Sequence, residues 1–473
     1  MHQREPSFEF ASTWLIPIAP PAAFLLAIAI TISFSAPEHD DYCFAFLNST
    51  EGFVRTIHEF YTQLTGRLVP LFAIQLPAAL ASATGASLLT WYAISLTLGF
   101  LFMLGGCALA FARMWPRLSL IHLSLLTAAF ASTIIARAPS PRELLFWLPS
   151  FWCYVPPAIV SIWVLAELVR AIDQQEKLSV TIVVSLAVAA LLASLCNEFT
   201  GVWLLMMAIW SCTVRYCVGL DPQPAGHAVL AAAGALGIAI IVAAPGNSER
   251  MSVMPRTGQI GLALHHSLNY AIDRFASFLL SPATIVCIAT ITTMAIISAN
   301  KVTHPERDRT LAGAVGLLVM ACFCFAYFTH EYATGLRLIE RAQNQALVIL
   351  LFGLSIVSVF VARSFIPQLR RSLSAAGLDL STWKTPVALS IASVVAIFIS
   401  PTGKLLRQQY AAFPSFRSES IERENLLRSA SGPVVTVPLH KSRPSLLLGA
   451  DINYNTQCTA SYYAKEKIIV ADP

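Results

Sequence analysis

Long apolar runs separated by short polar stretches make up most of the chain. The runs are roughly 17 to 28 residues long, the length that an α-helix needs to cross about 30 Å of hydrocarbon. Barrel strands would be half as long and would alternate polar and apolar residues. The pattern therefore predicts an all-α polytopic membrane protein with about eleven transmembrane helices, at 13-35, 85-112, 118-136, 145-169, 179-195, 199-215, 227-244, 275-299, 311-329, 343-362 and 386-401.

Two apolar segments need their own interpretation. The run 14-34 contains three prolines and is followed by no small-residue cleavage site, which indicates a retained signal anchor. The run 68-81 is short and contains two prolines, so we expect a half-inserted or tilted lead-in to the second span.

Composition agrees with the pattern. Of 473 residues, 56% are hydrophobic and 12% are charged, which is too apolar for a soluble protein of this size. The net charge of +5 fits loops that face anionic lipid. No basic cluster alternates with exposed aromatic residues, so we expect no nucleic-acid partner.

The positive charges predict an orientation. If the amino terminus is cytoplasmic, the inner loops hold thirteen Lys and Arg in roughly 70 residues, and the outer loops before the tail hold nine in roughly 100. This bias predicts a cytoplasmic N-terminus and an outer C-terminus. Nearly every unusual polar stretch then falls outside: "EHDDYC", "LTGR", "SPRELLFW", "CNEF", "APGNSER", "HEYATGLRLIERAQNQ" and the tail.

Two outer segments have features of their own. Within 36-67, Asn48 or Ser49 is predicted as the N-cap of an amphipathic interfacial helix whose apolar residues recur at helical spacing. Residues 402-473 are mixed and charged, with strand-like pieces "VVTV" and "KIIVAD". We therefore divide the chain into a transmembrane module, 1-401, and a small extracytoplasmic segment, 402-473.

Adjacent carboxylates, Asp40 and Asp41, follow the first apolar run. An acid so close to a membrane surface must be solvated, paired or metal-bound. One acid of the pair is a candidate general base towards a hydroxyl, while the other orients it or holds a divalent cation. The alternative is that the pair only caps a helix.

Other polar residues at the predicted outer face are candidate ligand contacts. Glu198 lies with Asn197 in a very tight turn between two apolar runs, where a carboxylate is either functional or part of a polar turn. An arginine just outside the membrane either snorkels to lipid phosphate or clamps a specific phosphate bidentately. Four such arginines near Gly, Asn or Gln favour specific phosphate binding for some of them: Arg67, Arg250, Arg337 and Arg341.

Signals for known catalytic or metal motifs are weak. The chain has no HExxH or CxxC motif around its candidate metal ligands, which are His39, His58, His330 and Glu331. This favours unpaired surface histidines over a zinc site. There is no G-x-S-x-G elbow, Walker loop or dinucleotide fingerprint. The turn residues Pro245, Gly246 and Asn247 need only turn chemistry to explain them.

Taken in order, the polar stretches resemble a family. The acidic first loop, "TGR", "FWLPSFWCYVPP", "NEF", "APGNSER", "RLIERAQN" and "DINYNTQCTASYY" resemble bacterial polytopic proteins of a domain-of-unknown-function family. That family is similar to GT-C fold glycosyltransferases, including O-antigen glucosyltransferase-like members. The resemblance covers nearly the whole chain, and the order of the motifs carries its specificity.

The resemblance implies a GT-C-like bundle in the bacterial inner membrane, with inverting sugar transfer on its outer face. The implied donor is a polyprenyl-phosphate sugar, and the acceptor is lipopolysaccharide, O-antigen or another envelope glycan or glycolipid. Asp40 or Asp41 would be the base or a metal ligand, with Mg or Mn as the cation. The phosphate would be held by Arg67, Arg250, Arg337 and Arg341, and the acceptor or metal would contact Glu198, Asn247 and Glu331.

Two other classes of function stay open. A carrier or flippase for a lipid-linked sugar would need charges at the bilayer midplane and on both faces. The few charges within the predicted spans, such as Arg113 and Glu167, lie near the ends, which favours the enzyme. A structural envelope subunit would tolerate loss of any outer acid. The sequence also leaves open whether Cys43 and Cys458 pair.

Overall fold

The fold is a bundle of helices with a small mixed segment after it. The computed structural model describes residues 14-116, 118-252, 254, 258-298, 304-375, 382-449 and 456-471. Helices account for 80% of the structure. After a 3-10 turn at Ile16–Ile18, the helices are α1 (Ala19–Ile32), α2 (His39–Glu51), α3 (Phe53–Gln63), α4 (Leu68–Thr84), α5 (Leu88–Met114), α6 (Leu120–Arg137), α7 (Pro141–Leu145), α8 (Leu148–Asp173), α9 (Val180–Ser194), α10 (Glu198–Cys217), α11 (Pro224–Val242), α12 (Pro245–Ser252), α13 (Ile260–Leu279), α14 (Pro282–Ser298), α15 (Pro305–Thr334), α16 (Glu340–Ala375), α17 (Lys384–Ile399), α18 (Pro401–Gln409), α19 (Phe413–Ser429, after a 3-10 turn at Tyr410–Ala412) and α20 (Thr456–Tyr462).

The structure is that of an all-α polytopic membrane protein, with fewer clear spans than the eleven predicted. Six described helices are long and apolar enough to cross a bilayer, and there are eight if each of two bent pairs is a single span. The bent pairs are α13 with α14, at 64°, and α17 with the segment 401-429, at 68°. All eleven predicted segments contain a helix, but the first apolar helix and α9 are short, and α10 carries charge at both ends. The prolines at 70 and 77 do not prevent a continuous helix α4.

Helices α8 and α16 lie at the centre of the bundle. In their most apolar windows, 83% and 78% of the residues are buried, compared with 28% for α11. Burial of apolar side chains inside a membrane bundle reflects packing more than avoidance of water, because the lipid is also apolar. The exposed apolar residues of α11 therefore fit a lipid-facing position.

Polar loops gather at two opposite ends of the bundle. At one end, Arg170 pairs with Glu167, and Arg363 pairs with both Asp173 and Asp308. At the other end are the contacting stretches 35-67, 137-147, 196-200, 241-250 and 330-345, which we call the cleft end. The stretches that the sequence predicts to lie outside therefore lie together at one end of the bundle.

The first loop differs from its prediction in where its helix begins. Asn48 and Ser49 lie inside α2 rather than at an N-cap, which corrects the predicted boundary. The break comes at Gly52, whose φ of 81° suits glycine and separates α2 from α3. The apolar side of α3 is also not free: Ile57 packs in a cluster with Leu71 and Ile74 of α4.

The C-terminal segment packs on the first loop and the bundle. Strands β1 (Val434–Pro438) and β2 (Lys467–Ala471) pair in parallel, which confirms the two strand-like pieces. A disulfide joins Cys43 of α2 to Cys458 of α20, with their Cα atoms 4.8 Å apart. Arg417 of α19 also donates to the carbonyl of Ser35, at 2.8 Å. The pairing that the sequence leaves open is therefore present.

Candidate functional site

A half-buried ion pair between Arg67 and Glu198 forms the centre of the cleft end. Arg67 lies in the short link between α3 and α4, and Glu198 is the first residue of α10. The Arg67 Nη2 lies 3.1 Å from Glu198 Oε2, and its Nη1 lies 3.3 Å from the hydroxyl of Tyr154 on α8. Three distant parts of the sequence therefore meet at one guanidinium group.

Each member of this pair favours the charged form of the other. Burial alone would raise the pKa of Glu198, but the charge of Arg67 outweighs burial and lowers it. Burial likewise opposes the charge on Arg67, while Glu198 raises the pKa of the guanidinium well above its ordinary value. Most of the side-chain surface of both residues is covered, with 16% of Arg67 and 30% of Glu198 exposed. A partly desolvated charge pair of this kind fixes geometry more than it adds stability.

Arg250 of α12 is the second cation of the site, and it is half-buried. Its electrostatic neighbours include Arg67, Glu198 and Tyr154. Burial is the main cause that lowers the pKa of Arg250, and the positive charge of Arg67 is the second. Among the described residues, the side chain of Arg250 has no hydrogen bond, ion pair or aromatic ring contact. A partly desolvated guanidinium group next to another cation would be stabilised by a bound anion, because the described residues give Arg250 no ion pair of its own.

Two more buried polar atoms here lack a hydrogen-bond partner among the described residues. They are the Nε of Arg67 and the Nε2 of His330, near the end of α15. His330 also lies in the electrostatic field of Arg67, Glu198, Arg250 and Arg341. Buried polar groups in proteins are nearly always satisfied, so these two atoms are candidates to bind a polar ligand or water. We call this set, Arg67, Tyr154, Glu198, Arg250, His330 and Arg341, the arginine cleft.

Two glycines set the position of Arg67. A Cβ atom on Gly66 would lie 2.6 Å from the carbonyl oxygen of Ile241, and one on Gly246 would lie 2.4 Å from the backbone nitrogen of Leu64. The "TGR" and "APGN" turns therefore pack backbone against backbone, which only glycine allows. Asn247 supports the contact: its Oδ1 accepts from the Gly66 N–H at 3.4 Å, and its Nδ2 donates to Ile241 at 2.8 Å.

Asn197 holds the N-terminus of α10 and with it Glu198. Its Oδ1 accepts from the backbone N–H of Thr200 at 3.1 Å, as expected for an N-cap. Its Nδ2 donates to the Cys153 carbonyl and to Gln345 Oε1, both at 2.8 Å. Asn197 is wholly buried, so this polar network orients α10 relative to α8 and α16.

Asp40 and Asp41 differ in their surroundings. Asp41 is 6% exposed, and its Oδ2 accepts the backbone N–H of Glu38 at 2.8 Å, so it caps α2. Its Oδ1 has no hydrogen-bond partner among the described residues, and burial raises its pKa well above 3.8. Asp40 is half-buried, and its carboxylate has no hydrogen bond or ion pair within the described part of the chain. Neither carboxylate bonds directly to the arginine cleft.

A ladder of side chains links the acidic loop to the cleft. Arg142 pairs with Glu38 through two contacts, one of them Nε to Oε1 at 3.3 Å. The guanidinium groups of Arg142 and Arg341 each lie 5.3 Å from the ring centre of Trp147. Arg341 also lies 3.7 Å from a carboxylate oxygen of Glu143. Arg341 is therefore shared between the ladder and the cleft.

Glu331 and Arg337 lie elsewhere at the cleft end. Both line a cavity of about 490 Å³ with His266, Tyr270, Asp273 and Arg274 of α13. Glu331 is 7% exposed, and its Oε1 lies 3.5 Å from Nδ1 of His266. The predicted donor and acceptor residues thus divide between the cleft and this cavity, which we call the α13 cavity.

Three partners in these sites went unrecognised in the sequence: Glu38, Arg142 and Tyr154. Glu38 and Arg142 lie in the polar stretches "EHDDYC" and "SPRELLFW", and Tyr154 lies in the apolar stretch "FWLPSFWCYVPP". The signal that could have found Arg142 and Glu38 is charge in an apolar neighbourhood.

The described residues contain no group of three or more His, Cys, Asp or Glu side chains placed to hold a metal ion. No family model, curated protein or solved structure matches the chain. The GT-C resemblance therefore stays a prediction from the order of motifs, and the function has to be argued from the geometry of the cleft.

Proposed function

We propose that the protein is a GT-C fold glycosyltransferase that uses a polyprenyl-phosphate sugar donor. The observation that supports this most is Arg250, a half-buried guanidinium group beside Arg67 with no anionic partner among the described residues. A phosphate group matches guanidinium groups in charge and hydrogen-bond geometry. The donor phosphate would lie between Arg250 and Arg341, while Glu198 holds Arg67 in place.

The chemistry needs little besides charge stabilisation and a base. The acceptor oxygen forms a bond to the anomeric carbon of the sugar, and the bond from that carbon to the phosphate oxygen breaks. The phosphate leaves with the electron pair, and the cleft arginines stabilise its growing negative charge. The hydroxyl proton passes to a carboxylate, and we assign that role to Asp40, because Asp41 already caps α2 and is nearly inaccessible.

The placement in the membrane follows from the donor. A polyprenyl chain stays in the bilayer, so the phosphate of the donor lies at the membrane surface, where the cleft end would be. We propose that this end faces outwards from a bacterial inner membrane, with the amino terminus in the cytoplasm. The acceptor would be a cell-surface glycan or glycolipid.

The test is sugar transfer in cells that carry single substitutions. Surface glycans and accumulated polyprenyl-phosphate sugars are measured by mass spectrometry in a deletion strain complemented with wild type, Arg250→Ala, Asp40→Asn or Asp41→Asn. We expect Arg250→Ala and Asp40→Asn to lose the product at normal protein levels. Arg55→Ala is the matched control, because Arg55 is an exposed arginine in α3 that pairs with Glu51 on the surface. Wild-type product in both Arg250→Ala and Asp40→Asn would reject the proposal.

A further inference from the structure

The α13 cavity has an unusual mixture of charges. Arg274 and Arg337 lie over the ring of Tyr270, with their guanidinium carbons 5.0 Å and 5.4 Å from its centre. Neither arginine side chain has an ion pair or a hydrogen bond among the described residues. Two cations on one ring, neither in an ion pair among the described residues, are suited to bind a phosphate group.

Carboxylates line the same cavity. Asp273 precedes Arg274 on α13, and Glu331 faces the cavity from the end of α15. The negative charges of these two acids would repel a simple dianion inside the cavity. A ligand with both a phosphate and an ammonium group would satisfy the arginines and the carboxylates together.

Helix α13 places this cavity next to lipid. Apolar residues recur at intervals of four at Ile260, Leu264, Leu268 and Ile272, and Leu279 follows seven residues later on the same side; all five are between 36% and 61% exposed. The residues that line the cavity, such as His266, Tyr270 and Asp273, follow a different stripe of the same helix. An exposed apolar stripe beside a polar one is typical of a helix at the edge of the hydrocarbon layer. The 64° bend into α14 agrees with such a position.

We propose that the α13 cavity binds the headgroup of a zwitterionic membrane lipid, a phosphodiester that carries a primary ammonium group. The phosphate binds Arg274 and Arg337, and the ammonium binds Asp273 and Glu331. The acyl chains lie along the apolar stripe of α13. The site is separate from the arginine cleft, and it does not depend on the proposed sugar transfer.

The test is lipid binding to the purified full-length protein in detergent, measured by native mass spectrometry. The probes are phosphatidylethanolamine, phosphatidylglycerol, phosphatidylcholine and soluble O-phosphoethanolamine. We expect phosphatidylethanolamine to bind at least about tenfold more tightly than phosphatidylglycerol, which lacks the ammonium group, or phosphatidylcholine, whose trimethylated ammonium cannot donate hydrogen bonds. Soluble O-phosphoethanolamine should bind more weakly still, because it has no acyl chains to bury.

Substitutions assign the binding to the cavity. Arg274→Ala with Arg337→Ala should lower phosphatidylethanolamine binding at least about tenfold, and Asp273→Asn should reduce the preference over phosphatidylglycerol. Arg309→Ala is the matched control, because Arg309 is an exposed arginine that contacts Phe365, far along α15 from the cavity. Gel filtration shows whether each variant is folded, and Asp273→Asn removes charge with almost no change in shape.

Three outcomes would overturn the proposal. The first is equal binding of phosphatidylethanolamine and phosphatidylglycerol to wild type. The second is unchanged binding in both the double variant and Asp273→Asn. The third is binding of O-phosphoethanolamine as tight as that of the lipid, which would assign the cavity to a soluble ligand. Loss of sugar transfer in Arg250→Ala leaves all three measurements unaffected, so the two proposals fail separately.

Discussion

Arg67 and Glu198 are 131 residues apart in the sequence, yet their side chains form an ion pair of 3.1 Å at the centre of the cleft end. Arg250 lies in the electrostatic field of this pair and has no ion pair of its own among the described residues. One carboxylate for two neighbouring guanidinium groups is the charge imbalance on which the proposed phosphate site depends.

Removing Glu198 should destabilise the protein more than removing a surface acid. Glu198→Ala leaves Arg67 and Arg250 facing each other in a partly buried site, and we expect a loss of about 1–3 kcal/mol in the free energy of unfolding. Glu51→Ala, which breaks the exposed pair with Arg55, should cost less than about 1 kcal/mol. The measurement is thermal unfolding of both variants in detergent. Equal losses would show that the cleft pair is no more important than a surface pair.

A methyl group on Gly246 should displace the "TGR" turn. Its Cβ would lie 2.4 Å from the Leu64 nitrogen, and overpacking of this kind costs about 1–3 kcal/mol. The shift moves Arg67, so we also expect lower sugar transfer from Gly246→Ala. Gly105→Ala is the control, because a Cβ there meets nothing within 4 Å and the helix gains a better helix former. Wild-type stability and transfer in Gly246→Ala would contradict the packing.

The buried carboxyl of Asp41 should make stability depend on pH. Burial raises its pKa above 3.8, so the folded protein keeps this proton at pH values where the unfolded chain has released it. Stability is therefore highest below the unfolded pKa and falls as the pH rises through the folded pKa. Asp41→Asn removes the ionisable carboxyl group and with it this loss of stability at higher pH, while it keeps an oxygen that can cap α2.

We therefore expect the difference in melting temperature, Asp41→Asn minus wild type, to increase as the pH is raised from about 4 to about 8. The measurement is thermal unfolding of both proteins across that range, with Asp40→Asn as the half-exposed control. A difference that is constant over the whole range would show that Asp41 is ionised in the folded state throughout.

The disulfide allows a test of orientation. Disulfides persist in oxidising compartments, so a bond between Cys43 and Cys458 in cells would put the cleft end outside. Cys217, an exposed free thiol at the far end of α10 from Glu198, should then be inside. We expect an impermeant maleimide to label Cys217 only after the membrane is opened. Labelling of Cys217 in intact cells, with Cys43 and Cys458 reduced, would show that the topology is the reverse of the predicted one.

The sequence predicts the helical class and the grouping of the polar loops, because both follow from run length and charge. It does not predict the number of spans, since α9 and α13 are helical and apolar but differ from α8 in length and in how they pack. The helix boundary at Gly52 was missed because Asn48 and Ser49 have strong N-cap propensity, which here the longer helix α2 overrides.

Of the candidate site, the residue types were predictable and the partners were not. Arg67, Glu198 and Arg250 stand out because each is charged beside an apolar run. Their meeting depends on how α3, α10 and α12 pack, which involves the two glycine contacts. No local pattern encodes a contact between chain segments this far apart, and Tyr154 inside an apolar helix gives no signal at all.

The bond between α2 and α20 also has a consequence for how the protein is made. Cys43 leaves the ribosome 415 residues before its partner, so its thiol has to remain available while nearly the whole bundle is synthesised and inserted. Only a molecule whose last helices have reached the correct side of the membrane can close the bond. The bond thus marks copies in which the first loop and the last helix have met, and a truncated copy would keep a free thiol at Cys43.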